Sequence, residues 1–399
     1  MSFRRFRNEN TLSDDTRQIV DHLRPSVNDQ SSSQAQFEKL TQESVWDVQS
    51  IRRLAWPGVD VLYRAKIWGF LLGVLPADRS TTKKVMERRR WEYQQMCLVL
   101  WDHDTGESLY PSSSRPDTLQ AKIAQLLQTP TTPPKKADYQ KLMRMCQHIE
   151  ADVCRTSSCN AFIRTPWAQN VLRRILTCWT WAAPSIGYSQ GMSEVIVPFL
   201  SVNTLDALSL SDRYPITIHT VAEFTDMSQE ALQRELSDLP NETLSTIEAD
   251  TFWYVHRFLH MLQPFCTSDH SAIHVEMERT EKVLRMVDFR LFSHLKLHDI
   301  HVQDFAYRWF RCLLVRELPM ELVIRLWDTY LAEGSEFLQF HAFVCASILC
   351  SFSNTLLELA SKEEVLLYLK AIPKAHMTPA WIQGIIKQSF ISRHMYYRS

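Results

Sequence analysis

The sequence predicts an all-α protein, and three observations support this prediction. Apolar residues recur at helical spacing in several segments, and strand-like alternation is hard to find. Only 8 of the 399 residues are glycine, about 2% against a usual ~7%, so few residues suit hairpin turns. We predict a single large helical domain over residues 46–392, with two lobes that divide near residue 245.

Two segments predict helices with definite ends. The first combines Thr165 as N-cap, Pro166 at the first helical position and Pro184 after the end. Its apolar face follows the spacing i, i+3, i+4, i+7, at Leu172, Ile175, Leu176 and Trp179. The second is a wide apolar stripe that runs from Leu322 to Leu331.

Three polar stretches interrupt the helical pattern. Residues 1–45 contain too little apolar surface to order themselves, which predicts a disordered arm. Residues 102–137 hold two proline-rich stretches around a short helical patch at 119–127, which predicts a loop insertion within the domain. Residues 209–242 predict a loop and a short amphipathic helix near Leu232 to Leu239.

Composition excludes several functions. The hydrophobic share is 45%, the charged share is 22% and the formal net charge is −1, so electrostatics favours neither nucleic acid nor an anionic membrane as the main partner. No run approaches the ~18 apolar residues of a spanning helix, and the first residues lack the apolar core of a signal peptide. The nine cysteines are scattered without a C-x-x-C pair. We predict a cytoplasmic protein with no direct membrane insertion and no bound metal.

Two short segments flank the predicted helix that begins at Pro166, and each carries a polar side chain suited to phosphoryl-transfer chemistry. They are residues 149–156 (IEADVCRT) and residues 188–192 (YSQGM). The Arg155 guanidinium could neutralise charge developing on a γ-phosphate, and the Gln190 carboxamide could orient an attacking water. The glycines form neither G-x-G-x-x-G nor G-x-x-x-x-G-K-[ST], so we expect any nucleotide to be held by another protein.

Spacing allows the two segments to meet but does not require it. Asp152 precedes Arg155 by three residues, so in a helical turn its carboxylate would face the guanidinium. Such a pair is more often a plain surface ion pair, and a loop glutamine more often bonds its own backbone. The intervening helix would be roughly 24 Å long, and the ten steps from Arg155 to Thr165 reach at most about 33 Å.

The two segments resemble the signature motifs of the TBC-domain family of Rab GTPase-activating proteins. They fit I-x-x-D-x-x-R-[TP] and Y-x-Q-G-[MI], in the family's order. The resemblance covers about residues 50–390 and is nearest to the yeast-type Golgi subgroup. Further segments resemble the family's other motifs, namely Ala55 to Val59 (AWPGV), Arg64 to Gly73 (RAKIWGFLLG), Ile247 to Trp253 (IEADTFW), Phe305 to Trp309 (FAYRW) and Arg316 to Tyr330.

This resemblance implies a function and a site. Arg155 would be an arginine finger supported by Asp152, and Gln190 would be a glutamine finger that places water. Supporting or GTPase-binding roles would fall to Thr156, Tyr188 and Gly191. The partner would be a Rab-family small GTPase in its GTP-bound form, and the GTP and Mg²⁺ would belong to that partner, so no cofactor is expected here. The protein would be peripheral on Golgi or other endomembranes through the Rab.

Two departures from the family pattern bear on this hypothesis. Val153-Cys154 stands where Ile-Pro is common, which we expect to loosen the backbone before Arg155. Ser193-Glu194 stands where Asn-Asp is frequent, which removes a polar contact near the site. The main alternative is therefore a non-catalytic Rab-binding scaffold with the same fold. A third hypothesis is an unrelated helical hydrolase that uses Cys or His.

Three other groups of residues have simpler interpretations. His294, His298 and His301 could line one helical face as metal ligands but are more typical of a solvated stripe. His148 and Cys154 would point away from each other on a helix. The basic run 88–90 beside Trp91 and Tyr93 is more typical of a solvated helix face than of a nucleic-acid site. The oligomeric state is left undetermined by the sequence.

Overall fold

The computed structural model describes residues 29–100, 136–157, 160–209, 220–266 and 270–398. Within these ranges the chain forms helices joined by turns and contains no β-strand, which confirms the all-α prediction. None of the helices described there combines the length and apolarity needed to cross a bilayer.

The helices before residue 240 are α1 (Asp29–Gln42), α2 (Val48–Ala55), α3 (Val61–Leu71), α4 (Thr82–Leu100), α5 (Lys136–Ser157), α6 (Pro166–Ala182), α7 (Met192–Ser209), α8 (Val221–Asp226) and α9 (Gln229–Asp238). The helices after it are α10 (Asn241–Met261), α11 (Gln263–Cys266), α12 (Ser271–Val287), α13 (Phe289–Leu297), α14 (Tyr307–Arg311), α15 (Met320–Glu333), α16 (Phe337–Ser351), α17 (Ser353–Glu358), α18 (Lys362–Lys370) and α19 (Pro379–Tyr396). Short 3₁₀ turns occur at Arg79–Thr81, Val302–Asp304, Gly334–Glu336 and Lys374–His376.

Three helices predicted from sequence are confirmed, and the helical patch predicted at 119–127 lies outside the described residues. Helix α6 begins at Pro166, and the Thr165 side chain accepts a hydrogen bond from the Ala168 amide, as an N-cap does. Helix α15 contains the whole predicted apolar stripe. Helix α9 is the short amphipathic helix, and it buries Leu232 and Leu236.

The predicted disordered arm is wrong for residues 29–45, because residues 29–42 form α1 and Val45 pairs with Asp78 in an isolated β-bridge. Phe37 and Leu40 of this helix are buried, and the Phe37 ring stacks on that of Tyr63 at a centroid distance of 5.7 Å. Two apolar side chains can dock a polar helix because the folded body supplies the apolar surface, and local composition does not reveal that surface. The remaining part of the predicted arm, residues 1–28, lies outside the described residues.

Three other predicted boundaries concern the loop insertion, the end of the domain and the division into lobes. The loop insertion at 102–137 falls outside the described residues except for 136 and 137, which begin α5. The last helix runs to Tyr396, a few residues beyond the predicted end of the domain. Residue 245 lies in the first turns of α10, and residues on both sides of it join one hydrophobic core. A division into lobes there stays a prediction.

Aromatic side chains fill the centre of that core, where α3, α7, α10 and α15 meet. Phe199 contacts Trp68 and Trp327 edge-on or tilted, with ring centroids 5.5 and 5.3 Å apart. Phe258 lies 4.9 Å from Trp327. All four rings are fully buried, and large buried aromatic surfaces of this kind stabilise the fold strongly.

One buried carboxylate joins the start of the domain to α15. Asp328 is fully buried and accepts hydrogen bonds from the Trp68 indole at 2.7 Å and from the Val59 amide at 3.0 Å. The Arg64 guanidinium donates to it at 3.1 Å. Since these donors come from α3 and the turn before it, the carboxylate fixes the N-terminal helices against α15.

We predict that Asp328→Ala lowers the free energy of unfolding by about 3 to 5 kcal/mol, because it leaves the Arg64 charge without its buried partner. Urea denaturation at neutral pH measures the change. As a control, Glu336→Ala removes an exposed carboxylate and should change stability by less than about 0.5 kcal/mol. A loss below about 1 kcal/mol for Asp328→Ala, the range of a surface ion pair, would contradict the assigned role.

Candidate functional site

Arg155 lies near the end of α5, where its charge is held at the surface. Its Nη2 donates to Asp152 Oδ1 at 2.9 Å, across the i−3 spacing expected from the sequence. The Arg155 side chain is 47% exposed, and that of Asp152 is 5% exposed. A buried carboxylate therefore orients the guanidinium of a side chain that is about half exposed.

Gln190 lies in the turn between α6 and α7, and its side chain is exposed. The next residue, Gly191, has φ +96°, a conformation that side chains rarely adopt. A Cβ atom there would lie 3.1 Å from the Cys312 sulfur, so the turn also packs tightly. Glycine is thus required at this position for conformation and for space.

The Asp152 carboxylate brings the two predicted segments together. Its Oδ2 accepts hydrogen bonds from the Tyr188 hydroxyl, from the Gly191 amide at 2.9 Å and from the Ser193 hydroxyl at 2.7 Å. Its Oδ1 accepts from Arg155. One buried side chain therefore contacts Arg155 on one side and the turn that carries Gln190 on the other.

The hydrogen bonds to Asp152 keep it ionised. Burial alone would raise its pKa, but the donors Tyr188, Ser193 and the Gly191 amide outweigh burial and hold the pKa below its usual value. Conversely, burial and the bond to this carboxylate raise the pKa of the Tyr188 phenol, which stays a donor. The charge on Asp152 is therefore a stable part of the site at neutral pH.

A second layer of polar contacts lies behind Asp152. The Thr156 and Ser193 hydroxyl oxygens are 2.8 Å apart, and Thr156 donates to Glu194 at 3.0 Å. Burial raises the pKa of Glu194, and Arg316, whose Nε lies 3.0 Å from that carboxylate, partly offsets the rise. This layer ties the end of α5 to the start of α7.

The structure corrects both expectations drawn from the family departures. Ser193 does not remove a polar contact, because its own hydroxyl binds Asp152. Val153 and Cys154 do not loosen the backbone, since both lie inside α5, which continues to Ser157. Val153 is buried, and the Cys154 thiol contacts Glu150 at 3.5 Å.

Sequence reasoning missed two arginines that contact this site. Arg311 donates from Nε to the Gln190 carbonyl at 3.0 Å, and Arg316 pairs with Glu194. Each lies more than 100 residues along the chain from the residue that it contacts. The sequence gives no local signal for such contacts, because neither arginine shares a helix face with its partner.

The histidine group does not form the predicted stripe. Helix α13 ends at Leu297, so His301 lies off the helix, and its Nδ1 lies 3.3 Å from a Glu281 carboxylate oxygen. The His294 and His298 rings contact each other at 4.7 Å. Within the described part of the chain, no three His, Cys, Asp or Glu side chains are grouped as metal ligands.

The basic run at 88–90 is not the solvated face that we predicted. Arg90 makes two hydrogen bonds to Asp250, at 2.8 and 2.7 Å, and Arg89 lies over the Trp253 ring at 5.6 Å. Arg88 pairs with Glu92 one turn along α4. Two of the three arginines therefore fasten α4 to α10.

The sequence is similar to a known domain family and to known GTPase-activating proteins. The Rab-GTPase-TBC domain matches residues 62–357. GTPase-activating protein gyp1 of Schizosaccharomyces pombe is 26% identical over 361 residues, which are 90% of this chain and 60% of that protein. TBC1 domain family member 22A of Mus musculus is 29% identical over 354 residues, which are 89% of this chain and 58% of that protein. The chain thus spans about six-tenths of these relatives' length.

A solved structure supports the same conclusion for the fold. The crystal structure of the Ypt/Rab-GAP domain of Gyp1p superimposes with a TM-score of 0.71 at 23% identity, covering 95% of this chain and 99% of that one. The domain match extends over well more than half of the sequence and includes both segments that meet at Asp152. On this evidence the chain belongs to the Rab-GTPase-TBC domain family.

Proposed function

We propose that this chain accelerates GTP hydrolysis by a Rab-family GTPase, with Arg155 and Gln190 entering the partner's nucleotide site together. Membership of the Rab-GTPase-TBC domain family supports the class of activity. The observation that carries the residue assignment is the Asp152 carboxylate, which contacts both Arg155 and the turn of Gln190. The protein would act as an activator in trans and not as an enzyme with a substrate site of its own.

In this proposal Arg155 stabilises charge in the transition state. Phosphoryl transfer to water spreads negative charge over the γ-phosphate oxygens, and a preoriented guanidinium meets it without reorganisation. Such an arginine contributes about 10³ to 10⁵ in rate, or roughly 4 to 7 kcal/mol of the barrier. The half-exposed position of Arg155 against a buried carboxylate suits this role, because its orientation is set before the partner arrives.

Gln190 would orient the attacking water. Its carboxamide is exposed at a turn, offers both a donor and an acceptor, and does not titrate. The partner would be in its GTP-bound form and would carry the GTP and Mg²⁺, so this chain would supply no cofactor. Attachment to Golgi or other endomembranes would be peripheral, through the partner, as the resemblance to yeast-type Golgi activators implies.

The first test is Arg155→Ala. We predict that it lowers the stimulated hydrolysis rate by about 10³-fold or more, while affinity for the GTP-loaded partner changes little. Arg155→Lys keeps the charge but loses the planar fork, so its activity should be intermediate. Single-turnover hydrolysis across a panel of GTP-loaded Rab proteins measures the rates.

Arg290→Ala is the control for this test, because it removes one exposed arginine from α13. This variant should stimulate GTP hydrolysis by the partner GTPase at the wild-type rate. Binding of GTP-loaded Rab proteins by the wild type without any acceleration would favour a non-catalytic scaffold and would overturn the proposed activity.

A second test is Gln190→Ala. We predict that it lowers the stimulated rate and leaves the free energy of unfolding within about 0.5 kcal/mol of wild type, because Gln190 is exposed. Hydrolysis assays with thermal denaturation of the same samples separate the two effects. An unchanged rate would remove Gln190 from the mechanism.

The third test uses pH to examine Asp152. The pKa of this carboxyl is lowered in the folded state, so its stabilisation is present above the unfolded-state pKa and is lost as pH falls through the folded-state value. Asp152→Asn should therefore cost about 1.5 to 3 kcal/mol at pH 7. The cost should shrink below about pH 4. Denaturation of the wild type and of Asp152→Asn between pH 7 and pH 3 measures the difference in free energy of unfolding. A difference that does not change with pH would contradict the role of the Asp152 charge.

A further inference from the structure

We propose that Arg311 is a positioning residue for Gln190. It acts by holding the peptide group between Gln190 and Gly191 on the side opposite to Asp152. This inference rests on the proposed function, because it assigns Arg311 a part in the same reaction. The contact that motivates it is the hydrogen bond from Arg311 Nε to the Gln190 carbonyl at 3.0 Å.

Both ends of that peptide group are held by charged side chains. The carbonyl of Gln190 and the amide of Gly191 belong to the same planar unit. Arg311 donates to the carbonyl, and Asp152 accepts from the amide at 2.9 Å. Hydrogen bonds to charged groups are stronger than neutral ones, so the plane has little freedom to rotate. Its orientation in turn sets the direction in which the Gln190 side chain leaves the backbone.

Arg311 itself is well anchored. Its Nη1 donates to the Phe265 carbonyl at 3.3 Å and lies 3.4 Å from the Tyr307 hydroxyl. Tyr307 in turn contacts the His270 ring nitrogen at 3.2 Å. The guanidinium therefore bridges α11, α14 and the turn of Gln190, and it does not depend on a single contact.

The backbone after Arg311 is also held firmly. Leu313 and Leu314 adopt φ +47° and +65°, which is rare for leucine, and both side chains are fully buried. Such strain persists only where the surrounding core enforces it. Cys312 lies between Arg311 and these two leucines, and it packs against Gly191. The strained segment therefore restricts movement of the turn that contains Gly191.

Arg311 is consequently placed to act through Gln190. Removing its guanidinium leaves the exposed carboxamide attached to a looser turn. The fraction of time in which Gln190 can hold the attacking water would fall, which lowers kcat. Contacts that determine affinity for the GTPase would be unaffected, so KM for the GTP-loaded partner would stay near the wild-type value.

The test combines kinetics with hydrogen exchange. Arg311→Met keeps much of the side-chain length and removes the donors, and Arg290→Met on α13 removes the same charge elsewhere. We expect Arg311→Met to lower kcat about tenfold, the effect of roughly 1.4 kcal/mol of barrier, with KM unchanged. In a Gln190→Ala background the same substitution should have no further effect, because the residue through which it acts is already gone. Arg290→Met should behave as wild type in both backgrounds.

Hydrogen exchange of the Gly191 amide gives a readout that needs no GTPase. We expect it to be about tenfold faster in Arg311→Met than in wild type or Arg290→Met, because the turn opens more often. Unchanged exchange would overturn the proposal, even if no Rab protein were activated by the wild type. A kcat loss that persists in the Gln190→Ala background, or a raised KM, would also overturn it, since Arg311 would then act on the partner directly.

Discussion

The site depends on one constraint, the hydrogen-bonding capacity of the Asp152 carboxylate. A carboxylate can accept several hydrogen bonds, and the four donors that reach this one come from a guanidinium, a phenol, an amide and a hydroxyl. Because the donors lie on α5, on the turn after α6 and on α7, satisfying one buried charge assembles three parts of the chain. Arg155 and the turn of Gln190 are then neighbours by necessity.

A second buried carboxylate, Asp328, joins separate helices of the scaffold, as Asp152 joins separate parts of the site. Asp328 gathers the Trp68 indole, the Arg64 guanidinium and the Val59 amide, and so fixes the first helices against α15. In both cases a charge is removed from water and compensated by several donors, which makes the arrangement specific as well as stable. The packing of the first helices against α15 and the orientation of Arg155 beside the turn of Gln190 thus have the same physical origin.

Local patterns predicted the helices whose signals lie within a few residues. Helix α6 begins and ends where Thr165, Pro166 and Pro184 indicate, because capping and proline geometry are local effects. The same reasoning failed for α1, which is polar along most of its length and is ordered by the docking of Phe37 on Tyr63. It also failed for Arg89 and Arg90, whose partners lie on α10.

The sequence by itself determined the fold class, the best-defined helices and the two segments that carry Arg155 and Gln190. These follow from periodicity, capping and residue chemistry, which act over short stretches of chain. Only the tertiary structure decided that Asp152 joins the two segments, that Ser193 supplies a contact expected to be missing, and that Arg311 reaches the Gln190 carbonyl. Those contacts join residues tens to more than a hundred positions apart, and their geometry exists only once the helices have packed.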